Sequence, residues 1–338
     1  MTKKDIIEIK ELLNSPKNIV ITTHRNPDGD AMGSSLGLYH FLILKKHNVN
    51  VITPTEYPEF LHWLPGNDEV IDYSAEKAKA EELTKKADVI FCLDFNTLSR
   101  TDKLDYILSS SKAIKILIDH HQQPDNFADY KLSDVNASST AELIFEFICM
   151  LNEQHSINKS IAICLYTGIM TDTGSFSYAS TTAKSHKIAA LLIEAGADNG
   201  KIHESVFHNN SENRVRFLGY CLSNKLKILP GYKTAYMSVT KEELSKFNHK
   251  SGDTEGLVNY ATTIDNIFFS ALFIERKDII KISFRSTNNF SVNEFARKHF
   301  DGGGHTKAAG GEFKGRVGEA VDKFLAVLPQ YKEQLNEF

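Results

Sequence analysis

Apolar positions fall into two rhythms along the first half of the chain. Short unbroken apolar runs alternate with stretches of helical period. Asp5–Leu13 is amphipathic and predicts a helix, with Pro16 stopping it. Asn18–Thr22 (NIVIT) follows as a strand, and Ala31–Lys46 as a helix whose apolar positions are Leu36, Leu38, Phe41, Leu42 and Leu44. A strand at Val49–Thr53, a loop containing His62–Gly66, and buried strands at Asp88–Asp94 and Ile114–Asp119 complete the pattern. Short apolar strands alternating with helices predict a parallel sheet covered by helices on its faces.

From Ser139 the rhythm turns helical, over Ser139–Leu151, Ser160–Met170 and Thr181–Gly196, the last ended by its glycine. His203–Leu226 reads as further helix. Thr234–Val239, Asn266–Glu275 and Ile279–Ser286 are then β-branched and aromatic, as strands are. Short helices at Glu242–Phe247 and Glu255–Thr263 separate them, and a helix at Val292–Phe300 leads into a glycine cluster. The change of texture predicts a domain at 1–195, a helical linker at 196–225 and a smaller mixed α+β domain at 226–338.

Composition narrows the function. The chain has 338 residues, 41% hydrophobic and 24% charged, with a formal net charge of −4. That balance argues against a general polyanion binder, which needs a broad basic surface. The most apolar stretch, Leu143–Leu151, is too short to span a bilayer and contains Glu146. The N-terminus is amphipathic with acids inside it, unlike a signal peptide. Cys92, Cys149, Cys164 and Cys221 are far apart, form no CxxC pair and read as reduced core residues of a cytoplasmic protein.

The candidate chemistry lies just beyond the predicted strands. After Asn18–Thr22 come His24, Asp28 and Asp30, in THRNPDGDAMGS. After Val89–Leu93 comes Asp94, in LDFNTLSR, which also carries Arg100. After Ile116–Ile118 come Asp119, His120 and His121, and the helix ending at Met170 is followed by Asp172 in TDTGSF. In an open parallel sheet these ends converge on one rim. Clustered carboxylates repel one another and are tolerated mainly where cations neutralise them. An Asp/His set without cysteine suits Mn²⁺ or Mg²⁺, and its size suits two ions. Two ions about 3.5–4 Å apart can share a carboxylate and stabilise both attacking and leaving oxygens at phosphorus. Each residue alone has a plainer use. An aspartate after a strand is commonly a turn residue or helix N-cap, a role open to Asp30, Ser34 and Asp94. In Ser138–Ile148, Ser139 and Glu142 have the spacing of a capping box, and the segment reads as mainly structural.

THRNPDGDAMGS, LDFNTLSR, the literal DHH at Asp119–His121, and TDTGSF together resemble the four motifs of the DHH phosphoesterase superfamily. Arg285–Gly311, with its GGGH, resembles the associated DHHA1 domain. The layout is similar to the subgroup of oligoribonucleases and pAp (adenosine 3′,5′-bisphosphate) phosphatases. This resemblance implies an α/β DHH domain and a smaller DHHA1 domain with the active site in the cleft. It implies His24 and Asp28 as ligands of one ion, Asp30, His120 and Asp172 of a second, and Asp94 as the bridge. Asp119 and His121 would orient ligands or touch substrate. Arg100, Arg285, Gly303, Gly304 and His305 would grip phosphate. The implied cofactors are two divalent ions, manganese first and magnesium second. The implied substrates are short RNA oligonucleotides and small nucleotides such as pAp and pApA, with no membrane partner; a homodimer is left open. Alternatives are a pApA or cyclic di-AMP phosphodiesterase on the same residues, and a non-catalytic nucleotide sensor, which loss of ligand residues would signal. Pyrophosphatase and processive RecJ-like nuclease activities fit the chain less well.

Overall fold

Strands buried on both faces need apolar side chains at every position, and the three apolar runs of the first half become the centre of one sheet. The computed structural model describes residues 1–250 and 252–337. The chain divides into two units, Met1–Asn209 and Asn210–Phe338. The first unit opens with α1 (Lys3–Leu12), β1 (Asn18–Thr22), α2 (Gly29–Leu44), β2 (Asn48–Thr53) and β3 (Val70–Asp72). It continues through α3 (Lys77–Lys86), β4 (Val89–Leu93), α4 (Asp105–Ser110), β5 (Ile114–Asp119) and β6 (Tyr130–Ser133). It closes with α5 (Thr140–Met150), α6 (Lys159–Asp172), α7 (Ala183–Glu194) and α8 (Asn199–Phe207). All six strands are parallel, in the order β3-β2-β1-β4-β5-β6.

Alternation along each strand splits the interior in two. Ile19, Ile21, Val89, Phe91, Leu93, Ile116 and Ile118 face the helices α1, α2, α5, α6 and α7. Val20, Ile90, Cys92 and Leu117 face the other side, with Ala80 of α3 and Ile107 and Leu108 of α4. The two site-bearing helices, α2 and α6, pack closely because glycines line their contact. A Cβ at Gly33 would lie 2.5 Å from the Cys164 carbonyl oxygen and 2.7 Å from the Gly168 nitrogen. One at Gly29 would lie 2.4 Å from the Thr171 hydroxyl oxygen. The start of α2 therefore rests against the end of α6.

The second unit contains α9 (Glu212–Tyr220), β7 (Lys227–Leu229), β8 (Thr234–Val239), α10 (Lys241–Lys246), α11 (Leu257–Ala261), β9 (Phe269–Glu275) and β10 (Ile280–Ser286). After these come α12 (Val292–His299), β11 (Gly303–Gly304), β12 (Ala308–Phe313), α13 (Val317–Val327) and α14 (Lys332–Asn336). Its sheet is mixed, in the order β11-β12-β10-β9-β8-β7, with β8 and β9 parallel and the other pairs antiparallel. Phe269, Phe273, Phe284, Phe295 and Phe324 form a phenylalanine core on one face. Met237, Leu272, Leu257 and Phe217 pack on the other.

Some boundaries differ from the sequence reading. The α2 helix begins at Gly29, two residues before the expected Ala31, because Asp28 caps it by accepting from Asp30 N and Ala31 N. Neither Asp30 nor Ser34 is the cap. The α6 helix runs through to Asp172, two residues past Met170. The expected single helix at 203–226 is broken. α8 ends at Phe207, Ser211 caps a fresh start by accepting from Arg214 N, and a wide turn at Cys221–Lys225 follows α9. All four cysteines are free, but Cys149 is only half-buried, unlike Cys92, Cys164 and Cys221. Among the described residues no helix is long and apolar enough to cross a membrane.

Candidate metal centre

The first sheet reverses its direction of growth at β1. β2 lies on one side of it and β4 on the other. Chains leaving the carboxyl ends of β1 and β4 splay apart there and leave a crevice. His24 stands two residues past β1, Asp94 immediately past β4, and Asp119 closes β5 with His120 and His121 behind it. The α2 N-terminus brings Asp28 and Asp30 over the same rim, and the α6 C-terminus brings Asp172.

The side chains form interlocking sets. His24, Asp28 and Asp94 offer ligand atoms within 4.8 Å of one another, and so do Asp30, His120 and Asp172. Asp94 connects the two. Its Oδ2 lies 3.3 Å from His24 Nε2, and its Oδ1 lies 3.6 Å from His120 Nε2. His120 Nε2 is also 3.4 Å from Asp172 Oδ2 and 3.8 Å from Asp30 Oδ2. Asp119, Asp94 and His121 form a third set, in which His121 Nδ1 is 2.7 Å from Asp119 Oδ1.

Local structure aims these groups. His24 Nδ1 meets the Arg25 carbonyl oxygen at 2.8 Å, and His120 Nδ1 meets that of Ala137 at 3.2 Å. A carbonyl can only accept, so each Nδ1 carries the proton and each Nε2 faces the carboxylates, as in metal-binding imidazoles. Asp94 sits at φ 64, in the left-handed region that aspartate tolerates better than most residues. Its own N–H donates to the Ile118 carbonyl, which ties it to β5. Asp30 is fully buried and accepts from Thr140 N at 2.6 Å and Ala141 N at 2.9 Å. Thr140 Oγ1 donates to Asp94 Oδ1 at 2.9 Å.

Electrostatics mark the cluster as overloaded with negative charge. Burial and then the charges of Asp94, Asp172 and Asp28 push the Asp30 carboxyl well up. Burial, reinforced by Asp94, raises Asp119 to about 6. Burial alone would lower His24 and His120, but their carboxylate neighbours outweigh it and raise both. Asp94 is held low against burial by the His24 hydrogen bond and the charges of three imidazoles. Histidines supply every ion pair that Asp30 and Asp94 make among the described residues. The raised carboxyl of Asp30 and the raised imidazoles of His24 and His120 share one cause, an excess of negative charge, which divalent ions can offset in place of protons. The donor set suits them: two imidazoles with Nε2 turned inward, four carboxylates, no thiolate, and one carboxylate with an oxygen toward each set.

Of the expected phosphate-binding residues, Arg100 lies in the turn after β4, and its carbonyl accepts from Arg25 N at 2.7 Å, joining the loops after β1 and β4. In the second unit, register places Arg285 of β10 opposite Ala308, while Gly304 of β11 pairs with Ala309 on the other side of β12. His305 begins the β11–β12 turn, so these residues gather at one end of that sheet. Gly303 and Gly304 are strand residues, and a Cβ at Gly302 would lie 2.0 Å from the Gly310 carbonyl oxygen. Gly304 N donates to Asn293 Oδ1 at 3.1 Å, so it is not open to a phosphate as it stands.

Sequence reasoning missed Thr140, Ala141 and Asn293. The Ser139 cap is present, since it accepts from Glu142 N, but the reciprocal half of the capping box is not. The buried Glu142 carboxylate instead takes Ser138 Oγ at 2.6 Å, Ser185 Oγ at 2.8 Å and Lys184 Nζ at 3.0 Å. The segment read as structural therefore touches two site carboxylates. A threonine at the first position of a helix was the only local signal.

Comparison with known proteins bears on the family of the chain. The DHH family, N-terminal domain, matches residues 18–169, and the DHHA1 domain matches residues 231–334. The bifunctional oligoribonuclease and PAP phosphatase NrnA of Bacillus subtilis is 31% identical over 92% of this chain and 93% of its own. The probable bifunctional oligoribonuclease and PAP phosphatase NrnA of Streptococcus mutans is 31% identical over 86% of this chain and 88% of its own. The crystal structure of an exopolyphosphatase-related protein from Bacteroides fragilis superposes with a TM-score of 0.94 at 43% identity, covering 99% of this chain and 98% of that one.

Proposed function

The chain belongs to the DHH family and carries a DHHA1 domain, and on that premise we propose that it is a two-metal phosphoesterase of short nucleotides. Its substrates on this reading are RNA of a few nucleotides, released as mononucleotides, and pAp, converted to AMP. The activities named for the Bacillus and Streptococcus relatives support that choice. The observation that carries it is Asp94, with Oδ2 toward His24 and Oδ1 toward His120. His24, Asp28 and Asp94 would hold one ion. Asp30, His120, Asp172 and the other oxygen of Asp94 would hold the second. When bound, two such ions activate water at neutral pH and offset the charge that develops at phosphorus. Manganese is the proposed metal, with magnesium as substitute, since the donors are oxygen and imidazole.

The protein's own groups do the rest. The Arg25 and Ala137 carbonyls hold the His24 and His120 tautomers. Asp119 accepts from His121 Nδ1, which leaves Nε2 as the atom that holds or releases a proton beside the phosphate. Arg100 in the first unit, and Arg285, His305 and the backbone at Gly303 in the second, are the proposed phosphate-binding groups, while Gly304 N is already spent on Asn293; a guanidinium can engage phosphate bidentately. The modest net charge of −4 fits short substrates, and the cytoplasm, where RNA fragments arise, is the proposed location.

The test is a set of initial rates with Mn²⁺ on pAp, pApA, a short RNA, a long RNA, cyclic di-AMP and polyphosphate, before and after chelation. We expect pAp and short RNA to be fastest and chelation to abolish both. Faster cleavage of cyclic di-AMP would favour the dinucleotide reading, and full activity after exhaustive chelation would sink the two-metal one.

A further inference from the structure

We infer that Thr140 is a positioning residue of this centre, orienting Asp94 through its hydroxyl and Asp30 through its backbone N–H. The inference rests on the two-metal reading above. An aspartate's terminal torsion is broad, so its rotamer does not fix the plane of the carboxylate. Something outside must. Asp94 receives 2.9 Å from Thr140 Oγ1 and ion pairs from His24, His120 and His121. With ions bound, the Nε2 lone pairs of His24 and His120 would be turned to them, and these imidazoles would not donate to Asp94. Among the described residues Thr140 is the one hydroxyl or amide that donates to this carboxylate, and its bond survives that change. It occupies one lone pair of Oδ1 and leaves the other, while Oδ2 stays turned to His24.

The same residue serves Asp30. Thr140 and Ala141 are the first two residues of α5, whose N–H groups have no partner inside the helix. Here both are spent on Asp30, one on each oxygen. Thr140 is completely buried, so its hydroxyl has no water to fall back on. The turn is anchored in its place. Glu142, also fully buried, binds Ser138 on its own approach to α5 and Ser185 at the start of α7. A threonine side chain is stiff at χ1, which keeps the hydroxyl aimed.

The experiment compares wild type with Thr140→Val and Thr140→Ser. Valine keeps the shape and both N–H bonds to Asp30 but removes the hydroxyl; serine keeps the hydroxyl. The readouts are Mn²⁺ stoichiometry and affinity by titration calorimetry, spin coupling between Mn²⁺ ions by electron paramagnetic resonance, and kcat and KM on pAp. Wild type and Thr140→Ser should each bind two coupled ions. Thr140→Val should bind the ion beside Asp30, His120 and Asp172 about ten- to a hundredfold more weakly, lose the coupling, and lose kcat with little change in KM. A Thr140→Val protein matching wild type in stoichiometry and coupling would overturn the inference, and so would a Thr140→Ser protein as impaired as the valine variant. If valine does not fold, Thr140→Ala replaces it; failure of both to fold while serine folds would make the hydroxyl a folding determinant and overturn the inference too. A wild-type protein that binds no divalent ion would overturn this inference together with the reading it rests on.

Discussion

Gly168→Ala should damage the site from behind without removing any of its polar groups. A Cβ at Gly168 would lie 2.6 Å from the Ala141 Cβ and 2.9 Å from Asp30 Oδ1. Carbon atoms rest about 3.5–4.0 Å apart, so the first turn of α5 or the body of α6 must move by about 1 Å. Both elements carry groups of the centre. Overpacking of this kind costs about 1–3 kcal/mol, while replacing a mid-helix glycine with alanine returns about 1 kcal/mol. The net expectation is a loss of about 0–2 kcal/mol in urea unfolding. The functional loss should be larger in proportion, because a 1 Å misplacement around reacting groups can cost about a hundredfold. The assay is kcat/KM on pAp at saturating Mn²⁺, beside the urea midpoint. Gly37→Ala is the control. Its Cβ would meet Leu165 Cδ2 at 2.5 Å, well along α2 from Asp30, so it should cost stability and spare turnover. A Gly168→Ala protein with wild-type kcat/KM and unchanged stability would refute the reasoning, for it would show that the close approach of α6 to Asp30 is not required.

Two further expectations concern the second unit. Against the upward push of burial, the Thr240 N–H, the Tyr220 hydroxyl and the Lys225 ammonium hold the Glu243 carboxyl at about 2. A carboxyl lowered on folding contributes stability that is present above its unfolded value of 4.5 and lost as pH falls toward 2; Glu243→Gln should flatten the pH dependence of unfolding across that window, and an unchanged slope would remove Glu243 as its source. Arg285→Ala and His305→Ala should each lower kcat/KM on pAp about ten- to a hundredfold, the worth of a charged hydrogen bond, and leave a small activated diester nearly untouched; equal losses on both substrates would place them in the chemical step.

The parts of the fold legible in the sequence are those with a local cause. NIVIT, VIFCL and IKILID could be read because they are buried on both faces, and the groups that follow them could be read because each stands within a few residues of its strand. The α3 helix escaped because KAKAEELTKK buries only Ala80 and Thr84, so it shows no apolar stripe. The β12 strand escaped because AAGGEF carries glycines where strands carry β-branched residues. β6 pairs on one side only and needs little apolar character. The α13 helix, Val317–Val327, buries only Ala320 and Phe324, and it follows the glycine cluster with no side-chain cap at Arg316 to announce its start. At the site, Thr140 escaped for a different reason. Its partners Asp94 and Asp30 are 46 and 110 residues away in sequence, and no local pattern encodes a contact made only by packing α5 over the rim. Gly168 is the same case, since nothing in its helix announces that Asp30 lies against it.

Asp94→Ala crystals soaked in Mn²⁺, with anomalous scattering collected beside wild type, bear most directly on the two-metal reading. Wild type should show two peaks, one at His24 and Asp28 and one at Asp30, His120 and Asp172. The variant should show both weakened, with turnover on pAp lost, because the removed carboxylate offers one oxygen to each set. Two peaks at full occupancy with normal turnover in the variant, or none in wild type, would contradict it.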